Sequence, residues 1–82
     1  MATCGGLLNL DRMNVHHRLA RNVSRLRKAA GLTQEEFADR SGIHPTYISA
    51  IENGHRNPTI DVVERLAMAL EVDPADLLAT AV

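Results

Sequence analysis

The sequence predicts an all-α fold, a compact domain of five helices. Apolar residues recur at helical spacing in successive segments, and residues that start or end helices separate these segments. The composition agrees, because 45% of the 82 residues are hydrophobic but only one Tyr, one Phe and no Trp are present. A core built from Leu, Ile, Val and Ala favours helix packing over a strand-rich sandwich. This length predicts one domain with a small core.

The first helix is predicted over residues 15–30. Its apolar residues are spaced by four, three and four and fall on one helical face: Leu19, Val23, Leu26 and Ala30. Gly31 can take the positive φ that ends a helix. The helix is therefore expected to lie with this face on the core.

Two short helices are predicted next. Thr33 and Glu36 have the spacing of a capping box, which marks a helix start, and Ser41–Gly42 ends that second helix. The third helix begins near Pro45, because a proline costs nothing at the first helical position. Asn53–Gly54 closes it.

The last two helices are predicted from their caps and their apolar residues. Thr59 caps the fourth helix, whose expected inward stripe is Ile60, Val63, Leu66, Ala67 and Leu70. Asp73–Pro74 starts a fifth helix of one to two turns that carries Leu77 and Leu78.

The charge is small in total but unevenly distributed. The formal net charge is −1, which argues mildly against a nucleic-acid binder. However, six of the nine Lys and Arg residues fall between Arg12 and Lys28, whereas residues 59–82 hold five acids against Arg65 alone. The first part of the chain therefore suits a polyanion and the last part does not.

The N-terminal residues 1–14 are predicted to be a flexible arm before a domain over residues 15–82. Cys4 is the only cysteine, so it can form neither an internal disulfide nor a thiolate metal site by itself. Neither a membrane span nor a secretion signal is predicted, and a cytoplasmic protein is expected. Whether the arm is inert or reaches a groove or a partner stays open at this point.

The second and third helices, joined by about three residues, have the organisation of a helix-turn-helix. Ala38 is small enough for two helices to cross closely, and Gly42 can form the turn. Residues 18–78 resemble the phage-repressor (Cro/repressor, Xre) family through "GLTQEEFA", "YISAIENG", "RNPT" and "LAMALEV" in order. A weaker likeness is to controller proteins of restriction-modification systems. The resemblance implies a DNA-binding domain that places its third helix in the major groove.

Roles for particular residues follow from the resemblance. The expected base contacts are His44, Thr46, Tyr47, Ser49 and Ala50. The expected phosphate contacts are Thr33, Gln34, Asn53, Arg56 and Asn57. Arg18, spaced with Arg21 and Arg25 on the first helix, is a further phosphate candidate, the alternative being an ordinary solvated face. Arg27 and Glu52 correspond to a structural ion pair.

Pro45 departs from the family pattern. Related proteins commonly have a long polar side chain there, and a bidentate contact to a base is worth roughly 1 to 3 kcal/mol of discrimination. Proline cannot make that contact. We therefore expect modest direct readout by the neighbouring residues and a larger contribution from DNA shape and deformability.

A homodimer is expected because one helix-turn-helix covers only one half-site. The expected interface residues are Met68, Leu77, Leu78 and Val82. A two-fold dimer would place its recognition helices about 34 Å apart on a palindromic operator with half-sites ~10 bp apart. The alternative is that Leu77 merely closes the core and that the protein dimerises only on DNA.

Other functions are disfavoured. Adjacent His16 and His17 point about 100° apart on a helix and lack further ligands, so no metal is expected. No cofactor is expected, and the small helical chain offers no pocket for an enzyme. The chain ends soon after the fifth helix, so no small-molecule effector domain is expected. The alternative function is an antitoxin that masks a toxin and autoregulates its operon.

Overall fold

The computed structural model describes residues 15–79, and this part of the chain forms five helices and no strand. The helices are α1 (Val15–Ala29), α2 (Gln34–Ser41), α3 (Pro45–Glu52), α4 (Ile60–Leu70) and α5 (Pro74–Leu78). The predicted all-α class and the order of its elements are confirmed. The predicted N-terminal arm and Val82 lie outside the described residues.

The predicted caps determine where α2 begins and ends. The Glu36 backbone N–H donates to Thr33 Oγ1 at 3.0 Å, and the Thr33 backbone N–H donates to Glu36 Oε1 at 2.8 Å, which completes the capping box. Gly42 ends the helix with φ 73°, and its N–H donates to the Ala38 carbonyl at 2.9 Å. A residue with a Cβ would be strained in this left-handed conformation.

One core joins all five helices. Each helix contributes at least one side chain that is completely buried, among them Val23, Phe37, Ile48, Leu66 and Leu77. Aliphatic residues dominate this core, as the composition predicts. Because α2 and α3 both insert a residue into the same core as α1 and α4, their mutual orientation is fixed by packing.

Three expectations about apolar residues are wrong. Ala30 was expected on the core face of α1, but it is exposed and follows the last residue of that helix. Leu77 was expected at a dimer interface, but its side chain has no exposed surface, because the short helix α5 needs it to close the chain's own core. Ile60 was expected to face inward, but it is 87% exposed. Burial along α4 becomes complete only at Leu66, so the first turn of α4 lies at the rim of the core.

Asn22 fixes α5 to α1 in a way that the sequence did not suggest. Its side chain is buried, and its Nδ2 donates to the carbonyls of Leu77 at 2.9 Å and Ala79 at 2.8 Å. Carbonyls at the end of a helix lack partners within that helix, and Asn22 satisfies two of them. The position of α5 therefore depends on one amide as well as on Leu77.

Candidate nucleic-acid interface

The α2–α3 pair has the connection that a helix-turn-helix requires. Residues 42–44 join the helices. The buried Ser41 Oγ accepts a hydrogen bond from the Ile43 N–H at 3.2 Å, while Ile43 itself is buried. The turn therefore satisfies its own backbone and inserts an apolar side chain into the core. This connection leaves the start of α3 at the surface, where it can enter a major groove.

The recognition helix α3 divides into a buried and an accessible side. Ile48 and Ile51 have almost no exposed surface. Among the expected base contacts, Thr46 is exposed and Ser49 and Ala50 are half-buried. These three side chains are short, so they suit close approach to base edges and to thymine methyl groups.

His44 caps the recognition helix with its imidazole. The Thr46 backbone N–H donates to His44 Nδ1 at 3.1 Å, and Pro45 occupies the first helical position. A neutral imidazole whose Nδ1 accepts must carry its proton on Nε2. The exposed His44 can therefore offer an N–H donor at the leading end of α3 while it caps the helix.

Tyr47 is less accessible than expected. Its side chain is half-buried and packs against the core. The Arg56 guanidinium lies over the Tyr47 ring, 5.2 Å from the ring centroid, which is within the range of a cation–π interaction. Tyr47 therefore supports Arg56 in the loop after α3, where Arg56 and Asn57 are both exposed.

The end of α3 is held by a polar network, the Glu52 clamp, formed by Arg27, Glu52 and Gln34. Arg27 Nε donates to Glu52 Oε2 at 2.6 Å, and Arg27 Nη2 donates to Glu52 Oε1 at 3.1 Å. Gln34 Nε2 donates to the same Oε1 at 3.1 Å. The Arg27 side chain is 10% exposed and that of Glu52 is 7% exposed, so water screens this pair little.

The clamp also connects α1 to the turn before α2. Arg27 Nη1 donates to the Leu32 carbonyl at 2.7 Å. The hydrogen bond from Glu52 raises the pKa of Arg27, and its charge acts in the same direction, whereas burial opposes both. Arg27 therefore stays charged, and one bidentate pair holds α1, α2 and α3 together.

The remaining expected phosphate contacts occupy different positions. Gln34 uses one amide N–H on Glu52, which leaves the other for a ligand. Thr33 is exposed at the start of α2. Asn53 is exposed at the end of α3, and its Nδ2 lies 3.5 Å from Ser49 Oγ. These three side chains lie beside the ends of α2 and α3 that the clamp connects.

Arg18 lies elsewhere. It precedes Asn22 by one helical turn, and Asn22 contacts α5, so Arg18 lies near the α5 side of α1. Its side chain is half-buried, and its Nε is buried with no hydrogen-bond partner among residues 15–79. This position does not favour Arg18 as a partner of the other phosphate candidates.

A second surface feature lies between α4 and α5. It is an apolar groove of about 370 Å³ lined by Ile60, Val63, Glu64, Pro74, Ala75 and Leu78. Leu78 is 41% exposed, and nearby on α4 Met68 is 70% exposed. Large exposed apolar side chains in one region are typical of an association surface.

Residues 15–79 show neither a metal site nor a membrane-spanning helix. No group of three or more His, Cys, Asp or Glu side chains in this range is arranged to hold a metal ion, and His16 and His17 are both exposed. No helix in the same range has the length and apolar character that crossing a membrane requires.

The fold and the α2–α3 geometry define a helix-turn-helix protein. The HTH_3 family, described as helix-turn-helix, matches residues 23–77, and the chain belongs to this family. Family membership confirms the resemblance drawn from the sequence motifs. It also makes the chain a DNA-binding transcription regulator and not an enzyme.

Individual relatives agree with this assignment. The HTH-type transcriptional regulator y4dJ of Sinorhizobium fredii is 42% identical over 66 residues, which are 80% of this chain and 86% of that protein. The control protein C.SmaI of Serratia marcescens is 39% identical over 66 residues, covering 80% of this chain and 79% of that protein.

A solved structure is similar over most of the fold. The restriction-modification controller protein C.Esp1396I, crystallised as a tetramer with its natural 35 base-pair operator, superposes with a TM-score of 0.73. The two chains are 33% identical, and the match covers 78% of this chain and 84% of the other.

Proposed function

We propose that this chain is a sequence-specific transcriptional regulator that binds an inverted-repeat operator as a homodimer. The Glu52 clamp is the single observation that carries the proposal. A buried ion pair is costly to form, and here it fixes the accessible edge of α3 relative to the start of α2. Such rigidity is what a helix needs to dock on base edges in a defined register.

Base reading is assigned to the exposed front of α3. His44 would donate from Nε2 to a base acceptor such as guanine N7 or O6, while Thr46, Ser49 and Ala50 would contact base edges or thymine methyl groups. Pro45 adds no hydrogen bond. Tyr47 is kept as a candidate contact at the edge of this surface, with its main role in supporting Arg56.

Phosphate contacts are assigned to both sides of α3. Thr33, Gln34 and the free N–H groups at the start of α2 lie on one side, where the helix dipole also favours an anion. Asn53, Arg56 and Asn57 follow the end of α3. Contacts of this kind fix the register of a protein on DNA but carry no sequence information directly.

The homodimer is assigned to the groove between α4 and α5. Ile60 and Leu78 expose apolar surface in this groove, Met68 exposes more on α4, and α5 is anchored to the core by Leu77 and Asn22. A two-fold pairing of this surface would place two recognition helices about 34 Å apart, matching half-sites ~10 bp centre to centre. C.Esp1396I, which is bound to its operator as an oligomer, supports this proposal.

The cellular setting follows from the same relatives. These relatives include a control protein and a controller protein, which favours the interpretation that this chain regulates an operon and acts on DNA in the bacterial cytoplasm. The helix-turn-helix itself does not distinguish repression from activation, since that depends on where the operator lies relative to the promoter.

Selection from random DNA tests the proposal. The purified chain is used to select sequences from random duplexes at two salt concentrations, and a variant with Thr46→Glu and Ser49→Glu serves as the control. We expect an enriched inverted repeat with the wild type and none with the variant, because two carboxylates at the front of α3 repel DNA. Lack of enrichment with the folded wild type would refute the proposed function. The salt dependence reports how many phosphates are contacted.

A further inference from the structure

A basic groove lies between α1 and the end of α3. It has a volume of about 470 Å³, and its walls include His17, Arg21, Ser24, Arg25, Lys28 and Asn53. We call it the α1 groove. The α1 residues recur at spacings of three and four, so they lie along one side of that helix. The opposite wall reaches Gly54, where an added Cβ would lie in van der Waals contact with the His17 ring, at 3.7 Å.

The positive charge of the α1 groove is not neutralised by neighbouring acids. Arg21, Arg25 and Lys28 are exposed, and within residues 15–79 the only ion pair joins Arg27 to Glu52. Glu52 is the one acid in the groove wall, but both of its oxygens already accept hydrogen bonds from the clamp. Three cations therefore face solvent around a concave surface, which is an arrangement that attracts anions.

The groove continues the surface assigned to DNA. Asn53 belongs both to the groove wall and to the proposed phosphate contacts at the end of α3. From His17 to Lys28 the groove follows α1 for about 16 Å, given a rise of 1.5 Å per residue. A strip of this length beside the recognition helix is long enough to meet several successive phosphates of one strand.

We propose that the α1 groove binds phosphates of the DNA backbone outside the half-site that α3 reads. The inference rests on the proposed function and adds a flank-binding surface to it. The observation that selects a DNA strand as the occupant is the combination of continuity at Asn53 with cations that form no ion pair among residues 15–79. The groove then adds affinity without reading bases, so that the bound DNA extends beyond the conserved positions of the operator.

The experiment compares two double variants of equal charge. Arg21→Gln with Arg25→Gln removes two groove cations, whereas Arg40→Gln with Arg65→Gln removes two exposed cations from α2 and α4. Each protein is titrated with two duplexes that contain the selected operator. The short duplex ends at the half-sites, and the long one carries about one further helical turn of unrelated sequence on each side. All three proteins are first shown to unfold at similar temperatures.

If the α1 groove binds flanking phosphates, only the Arg21/Arg25 variant should lose the extra affinity for the longer duplex. For the wild type and the Arg40/Arg65 variant, we expect the longer duplex to bind about tenfold more tightly at low salt. The Arg21/Arg25 variant should bind the long and short duplexes equally well. Its plot of log affinity against log salt should be less steep by about 1.8, which corresponds to two phosphate contacts. A long duplex with uncharged methylphosphonate linkages in the flanks should remove the gain for the wild type as well.

The outcomes separate this inference from the proposed function. If both double variants lose the same affinity, or if flank length does not matter for the wild type, the α1 groove does not bind flanking phosphates. In either case the operator is still bound, so the proposed function stands. Failure of the wild type to bind the selected operator at any flank length would instead refute the proposed function.

Discussion

The two sides of this molecule use their side chains in opposite ways. At the α1–α3 end, the buried polar atoms of Arg27 and Glu52 are paired and exposed cations line a groove. At the α4–α5 side, apolar Ile60 and Met68 are exposed. The first arrangement suits a charged ligand held in a fixed geometry, whereas the second gains free energy only when another apolar surface covers it.

This difference explains how a short chain can carry two interfaces on one core. The polar end is stiffened by a bidentate ion pair between α1 and α3, to which Gln34 joins α2, so little additional ordering is needed when DNA binds. The apolar side lies on α4 and α5; Leu77 anchors α5 in the core, and Asn22 attaches its end to α1. Changes on one side should therefore leave the other intact, except where they reach the common core.

The largest expected effect is at the clamp. Glu52→Ala leaves the Arg27 guanidinium buried without its partner, so we expect the free energy of unfolding to fall by about 3 kcal/mol in urea denaturation. Glu35→Ala, which removes an exposed carboxylate from the first turn of α2, should cost less than about 0.5 kcal/mol. Equal stability of the two variants would show that the clamp does not hold α3.

The apolar side should govern association. Replacing Ile60 and Met68 by Glu places charges in the proposed interface, and we expect sedimentation velocity to show a dimer dissociation constant raised about 100-fold. Because both side chains are exposed, monomer stability should change little. Ala29→Glu, an apolar-to-acidic change on exposed α1 surface, is the control. An unaffected dimer in the double variant would place the interface elsewhere.

Pro45→Arg should change DNA recognition at the polar end. A long side chain at this position restores a possible bidentate base contact, so binding should tighten about tenfold and base preference should change at one position per half-site. Pro45→Ala removes the proline without adding a contact, and it should leave the preference unchanged. Selection from random duplexes with both variants is the measurement. An unaltered profile for the arginine variant would show that residue 45 does not face the groove.

The smallest expected effect lies at the end of α4. Glu71 is the only residue other than glycine with positive φ, 59°, in residues 15–79. Glycine avoids the strain of this conformation, and we expect Glu71→Gly to raise the free energy of unfolding by about 0.5 to 1 kcal/mol. Glu64→Gly in the middle of α4 should lower it by about 1 kcal/mol. Thermal and urea unfolding compare the two, and destabilisation by Glu71→Gly would contradict the assignment of strain.

Local signals made most of the fold predictable. The Thr33–Glu36 capping box, Gly42 and the proline at position 45 each act within a few residues, and the helices begin and end where these signals indicate. The end of α4 was not predictable in this way, because Glu71 takes a conformation that the sequence would assign to glycine or asparagine.

Tertiary packing explains what the sequence did not reveal. Periodicity placed Ile60 with the inward stripe, but only the neighbouring helices determine where the core ends. Leu77 and Leu78 are indistinguishable by residue type, and packing against α1 and α4 decides which one is buried. Asn22 gave no local signal at all, since its partners lie 55 and 57 residues away. The roles of individual site residues stay predictions.

The spacing of the operator half-sites tests the central claim most directly. Affinity is measured for the selected inverted repeat and for the same repeat with about five base pairs inserted at its centre, which turns one half-site to the opposite face of the DNA. A homodimer with two fixed recognition helices predicts a loss of about 100-fold. Equal affinity for the two duplexes would contradict a rigid dimer that reads both half-sites at once.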